Sequence, residues 1–334
     1  MTCETPATAA GSGGKWYATL STANIHAGGV STAVRPCFVE FEPAYPLWSD
    51  GLHKRRWIYL PPGTKIETGP NPVTGAAPNM DRWVFPVGTR FLKEFARSDG
   101  KRLETRIWER TATGYRYGAF RWRADQSDAD YTETGGPAAL TLDDGTVHDI
   151  PARAECAKCH DGEPGKGLGF SAVSLSKPPL SPSDLTLLRV IERGWLSHPP
   201  SSLPDPALGS PVPGTSIEAK GMGYLHGNCA HCHNPLGVAN AVDMQLRVRY
   251  GETNAKTTFM WTTSVGVPSK TWTKLGAALR IDPGTTALAD GLPLKSAVYV
   301  RQTLRGSNDQ MPQLGTVLVD TMGLKDLEAW IKGL

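Results

Sequence analysis

Six cysteines stand at positions 3, 37, 156, 159, 229 and 232, so two are scattered and four form pairs with two residues between them. Each pair is followed at once by histidine, as Cys156-Ala157-Lys158-Cys159-His160 and Cys229-Ala230-His231-Cys232-His233. That spacing is the pattern of covalent c-type haem attachment. Cysteines i and i+3 lie on one side of a helical turn, so both thiols can add to the two vinyl groups on one porphyrin edge. The next residue then reaches the iron. His160 and His233 are the expected proximal ligands, each bonding through one ring nitrogen while an acceptor orients the other. The expected cofactors are two covalently attached haem c groups.

Two other chemistries use paired cysteines. A four-cysteine zinc site would have to span residues 160–228, far outside ribbon or knuckle spacing, and would leave both histidines unused. Redox-active CxxC disulfides also leave the histidine of each motif unexplained. The remaining pair, Cys3 and Cys37, suits a disulfide in the oxidising compartment where such haems are attached. Two free thiols, or a lipid-anchored Cys3, are the other readings.

A haem iron with one histidine needs a second axial group. For the second haem the candidate is Met311, because Pro312 biases it toward an extended backbone and a loop position. A thioether there favours ferrous iron and raises the potential. For the first haem no motif marks the sixth ligand. The candidates are His148, His198, Met222, His226, His53, Lys54, Met80 and Lys93, with an open or water-bound site as a further reading. His231 is expected to be exposed.

Elements must hold these groups in place. Between residues 15 and 150 apolar residues alternate or run briefly between turns, as in Trp57-Ile58-Tyr59-Leu60, Trp83-Val84-Phe85, 103–108 and 115–122, which reads as strands. Asp99-Gly100 and Asp144-Gly145 are expected hairpin turns. The fold class implied is a multidomain α+β protein: an N-terminal antiparallel β-sandwich or barrel-like domain, then a mostly α-helical cytochrome c region. Ser181-Pro182-Ser183-Asp184 has the form of a helix start, with an end near Gly194. Residues 221–226 form the helix leading into the second motif, their glycines permitting close helix contact. Leu324, Leu327, Trp330 and Ile331 recur at helical spacing after Asp320 and Thr321, as a closing amphipathic helix. Six prolines make 197–215 a semi-rigid connector. The expected division is 1–150 β-rich, 151–215 first haem segment with connector, and 216–334 cytochrome c-like. The first haem segment is too short to bury its cofactor alone, so its neighbours must help cover it.

Length and composition limit the alternatives. In 334 residues, 40% are hydrophobic and 20% charged, which excludes a disordered chain or coiled coil. Thirty-five basic against 32 acidic residues leave +3, too little to indicate nucleic-acid binding or a membrane-surface patch. No apolar run approaches the roughly 18 residues of a spanning helix. Residues 1–14 are small and polar rather than signal-like, so an export signal is not part of this sequence.

The chain resembles a family of bacterial diheme c-type cytochromes with a β-rich N-terminal region ahead of two CxxCH motifs. The resemblance covers nearly the whole chain. It rests on Pro46-Leu47-Trp48-Ser49-Asp50-Gly51 with Lys54-Arg55-Arg56-Trp57, on Trp83-Val84-Phe85-Pro86-Val87-Gly88-Thr89 with Lys93, on Glu104-Thr105-Arg106, and on Asn228-Cys229-Ala230-His231-Cys232-His233-Asn234-Pro235. Met311-Pro312-Gln313-Leu314-Gly315 looks like the Met-Pro-Pro-Leu-Gly loop of class I cytochromes, with Gln313 in place of the second proline. The resemblance implies two covalent haems and an exported electron-transfer protein, and keeps a lysine ligand, Lys93 or Lys54, among the candidates for the first haem.

The expected function is a periplasmic or extracellular electron carrier that exchanges electrons with a redox partner protein. Two other classes stand beside it. One is a haem enzyme of peroxidase or oxidase type with an open first haem, although no distal acid–base constellation accompanies Cys156. The other is a structural component of an extracellular electron conduit, with self-association through the β-rich domain.

Overall fold

Alternating apolar and polar side chains over residues 53–132 build the main sheet of the computed structural model, which describes residues 3–4, 17–30, 33–69, 79–141, 145, 147–284 and 295–334. Its strands are β1 (Val39–Glu40), β2 (His53–Tyr59), β3 (Arg90–Ala96), β4 (Arg102–Thr111), β5 (Gly114–Trp122) and β6 (Ala129–Thr132). They pair antiparallel in simple sequence order. A meander of this kind has two edges, β1 and β6, so the sheet is open; the expected barrel does not close, and the sandwich is replaced by one six-stranded sheet. Strands β7 (Gly136–Thr141) and β8 (Val147–Ile150) form a separate hairpin. The Asp99-Gly100 turn lies between β3 and β4 as expected, with Gly100 at φ +82°. Asp144, of the other expected turn, lies outside the described residues.

Trp83-Val84-Phe85 is not a strand. Only Val84 makes a bridge, to Glu67, while Trp83 and Phe85 turn into an aromatic cluster around Phe170. Packing rather than sheet pairing explains their apolar character.

The sheet's two faces follow from the period of two. Trp57, Leu92, Ile107 and Phe120 face one way and pack under the segment containing Tyr17, Leu20, Ile25 and Phe38. Cys3 and Cys37 are joined there by a disulfide, with Cα atoms 6.1 Å apart. Ile58, Phe91 and Trp108 face the other way, against Phe170, Leu175, Leu187 and Val190 from the chain beyond the sheet.

Six α-helices follow among the described residues: α1 (Arg153–His160), α2 (Leu187–Glu192), α3 (Ser216–Cys229), α4 (Phe259–Ser264), α5 (Ala297–Thr303) and α6 (Thr321–Lys332). Long irregular stretches separate them. The molecule is thus mixed α+β, with a C-terminal region less helical than expected. Helix α2 starts later than its sequence signal because Asp184 pairs with Lys177 and accepts from the Leu180 N–H instead; Thr186 is the N-cap, accepting from Arg189 N. Helix α3 opens on a reciprocal capping box between Thr215 and Glu218. Asp320 caps α6 through Gly323 N at 2.8 Å.

Helices α3 and α6 pack as expected of glycine-mediated contact. A Cβ on Gly221 would lie 2.6 Å from Trp330 Cβ, and one on Gly323 of α6 would overlap the Tyr224 ring of α3. Leu225, Leu324, Leu327, Trp330 and Ile331 share the resulting core. The proline-rich stretch is fastened along its length: His198 O accepts from Thr68 Oγ1, Ser202 O from the Tyr250 hydroxyl, and Ser210 N donates to Ser176 Oγ. No helix of the described residues is long and apolar enough to cross a membrane.

Candidate functional site

Helix α1 ends on the first motif, placing Cys156 and Cys159 one turn apart and His160 at its last position. The chain then reverses, and Lys166, with φ +61°, returns its carbonyl to His160 Nδ1 at 2.6 Å. A backbone carbonyl can only accept, so Nδ1 carries the proton and Nε2 keeps the lone pair. Protein surrounds the ring, although part of its surface opens onto a cavity. Burial pushes the His160 pKa down to about 4, and the Lys93 and Arg106 charges act in the same direction against the Lys166 hydrogen bond and Cys159. A neutral imidazole with one free, oriented nitrogen is what metal ligation requires.

The cavity holds about 870 Å³, within the usual range for small-molecule and cofactor sites. The sheet supplies one wall, with Phe91, Lys93, Arg106, Trp108 and Tyr117; α1 supplies Cys156, Cys159 and His160; α3 supplies His226 and Gly227. Tyr117 lies against His160 with ring centroids 4.8 Å apart. Arg56 also lines the space, and its buried Nη2 has no hydrogen-bond partner among the described residues. Apolar walls, an oriented imidazole, two thiols on one helical side and an unsatisfied guanidinium fit a flat macrocycle with carboxylate edges. The donor set therefore suits a covalent haem at the first motif.

The second motif begins at the last residue of α3. His233 is buried, its pKa lowered to about 4, chiefly by burial, and its Nδ1 has no hydrogen-bond partner among the described residues. Cys229, Cys232 and His233 do not line the cavity. His231 is buried rather than exposed, at 9% of its free surface, because the two motifs meet here. Ligand atoms of Cys159, His231 and Cys232 all lie within 4.8 Å of one another. A hydrogen bond between the two sulfurs and the nearby His231 draw the Cys159 pKa down while that of Cys232 rises. Gly162, two residues past His160, packs so closely on the His231 carbonyl that a Cβ has no room. Arg247 clamps the junction, bidentate to Glu163 at 2.7 and 2.8 Å.

Met311 sits on a loop after α5, half-buried, its N–H donating to Arg301 O at 2.8 Å. The Arg301 charge in turn bears on His233. The loop's Gln310, Pro312 and Leu314 reach the cavity, whereas Met311 itself is not part of its wall.

Most of the other candidate ligands are engaged elsewhere. His53 is exposed, and His198 pairs with Glu67 at the surface. Met80 and Met222 are buried in apolar clusters. His148 bonds through Nδ1 to Asp50 at 2.7 Å, and Lys54 donates to Leu47 O at 2.7 Å. His226 lines the cavity with both nitrogens engaged, Nδ1 by Val248 N at 3.1 Å and Nε2 by Ser174 Oγ at 3.4 Å. Lys93 lines it with no hydrogen-bond acceptor for its amine among the described residues; its Nζ rests 4.7 Å from the Phe95 ring centroid.

Sequence reasoning passed over Asp50 and Trp48 as site elements. Asp50 accepts from Val317 N and Leu318 N at 2.9 and 2.8 Å as well as contacting His148, and Trp48 links Asn228 Oδ1 to Leu318 O. Both hold the Met311 loop and the end of α3 to the sheet region. Their signal was present in Leu47-Trp48-Ser49-Asp50, a polar-aromatic cluster with no strand or helix period. No family model, curated protein or solved structure matches the chain.

Proposed function

We propose that the chain is an exported diheme c-type cytochrome that passes electrons between its two haems and a redox partner protein. The observation that carries this reading is the first motif's arrangement: two thiols on one side of α1 and an imidazole whose Nδ1 is fixed by Lys166 O, all facing one apolar cavity. Cys156, Cys159 and His160 would hold one haem; Cys229, Cys232 and His233 the other, with Met311 as its second axial ligand. Haem supplies reversible one-electron chemistry. The protein's own residues orient and tune: Lys166 O fixes the His160 ring, Arg56 and Arg106 offer positive charge to carboxylates, and aromatic walls exclude water. The Cys3–Cys37 disulfide supports a periplasmic or extracellular setting. Division of the chain near residues 150 and 215 belongs to the same reading, since the last strand ends at Ile150 and α3 begins at Ser216.

The test is mass analysis of the intact, denatured protein made in a host competent for haem attachment. Two haems retained per chain is the expected result; no added mass defeats the reading.

A second reading is favoured by one observation, the cluster of Cys159, His231 and Cys232. Two thiolates and an imidazole form a competent donor set for zinc, with a fourth position to fill. The same preparation separates the two: about one zinc per chain by elemental analysis, with no covalent haem, would support the metal site.

A further inference from the structure

We propose that the Lys93 amine is the sixth ligand of the haem held by His160; this rests on the diheme reading above. The argument begins with register. On the sheet face turned toward the cavity, Lys93 of β3 stands between its cross-strand neighbours Arg56 of β2 and Arg106 of β4. All three line the same space as Cys156, Cys159 and His160. Lysine at such a position ordinarily finds a carboxylate or reaches water. Here the nearest acid is already taken, because Glu104 binds Arg106 through both oxygens at 2.6 and 2.9 Å. Lys93 is left with an aromatic ring face and the cavity itself.

Lys93 is half-buried on the cavity wall, and once a cofactor displaced water there, an amine without an acceptor would be costly unless neutral or bound. A protonated amine has no lone pair for iron, and Arg56, Arg106 and Lys54 all oppose that proton, with burial the largest cause. The competing donor on the cavity wall, His226, has both ring nitrogens occupied by Val248 and Ser174. The Tyr117 ring packs on the His160 ring itself, with centroids 4.8 Å apart. Lys93 is therefore the cavity-lining side chain among the sequence candidates whose donor atom is unengaged.

The experiment uses the full chain with both haems attached. In the wild type, both ferric haems should be low-spin, and protein labelled with nitrogen-15 only at lysine should show a lysine nitrogen coupled to one iron in pulsed electron paramagnetic resonance. Lys93→Ala should turn one of the two haems high-spin and open it to cyanide or carbon monoxide, leaving the other haem's spectrum unchanged. Lys93→Met should keep both haems low-spin and raise the potential of the first, a change that a purely packing role would not produce. Two haems per chain with no lysine-nitrogen coupling, or a Lys93→Ala protein in which both haems stay low-spin, overturns the ligand assignment while sparing the diheme reading. A chain that carries no haem at all overturns both. The labelling measurement needs no substitution, so it decides the matter even where Lys93→Ala fails to fold.

Discussion

At the scale of single residues, the two Cys-x-x-Cys-His motifs are legible because their spacing is written in the order of the chain itself. What the order does not carry is which side chains meet from distant positions. Residues 161–228 lie between the two motifs, yet Cys159 lies beside Cys232, and His231 is buried there. Arg106 reaches the first motif from β4, where its charge bears on Cys156. His226 shows how such enclosure shapes chemistry. Burial and the Arg247 charge lower its pKa to about 3, and the Val248 N–H donating to Nδ1 is compatible only with a ring whose proton is on Nε2. In the unfolded chain the ring would take up a proton as pH falls below about 6.5. Its contribution is present above that pH and is lost as pH falls toward about 3, on the order of a few kcal/mol. Urea unfolding of wild type and His226→Gln between these limits should show a shallower acid dependence in the variant; parallel curves would rule this origin out.

At the scale of elements, strongly patterned segments were legible: β2, β4, β5 and α6 lie where the apolar period placed them, and α3 where a helix was expected ahead of the second motif. Two failures have physical reasons. Trp83 and Phe85 look strand-like because they are apolar, but their partners are rings rather than a neighbouring strand. The Ser181-Pro182-Ser183-Asp184 cap signal is spent on Lys177 and the Leu180 N–H, so α2 waits for Thr186. The α3–α6 crossing is the sharpest test of element packing. Gly221→Val sets a branched side chain against Trp330, and overpacking of this kind costs about 1–3 kcal/mol, more than the few tenths of a kcal/mol of helix propensity gained over glycine. A lowered urea midpoint at unchanged slope is the expected result. An unchanged midpoint would mean that α6 shifts freely away.

At the scale of the whole molecule, one sheet divides two environments. Its back is closed by the N-terminal segment and the Cys3–Cys37 link, and its front by the cavity and the helices beyond. Arg90, Glu109 and Tyr17 join the back layer through buried contacts at 2.8 Å. Breaking the disulfide by Cys3→Ser with Cys37→Ser should cost about 4 kcal/mol from the loop entropy of its 34-residue separation. On the diheme reading the haem spectra should be untouched, since that face lies opposite the cavity. A change in those spectra would show that the back layer governs the front.

The meeting of Cys159 with Cys232 also bears on how such a molecule is made. Thiols this close would, in a compartment that forms disulfides, be poised to capture each other and cross-link the two motifs into a dead end. On the diheme reading, order of events would then decide yield: porphyrin would have to arrive before oxidation does, or a reductant reopen the trap. Secretion without haem supply should accumulate chains bearing a Cys159–Cys232 cross-link, detectable by peptide mapping under non-reducing conditions, and a Cys232→Ser chain should escape it.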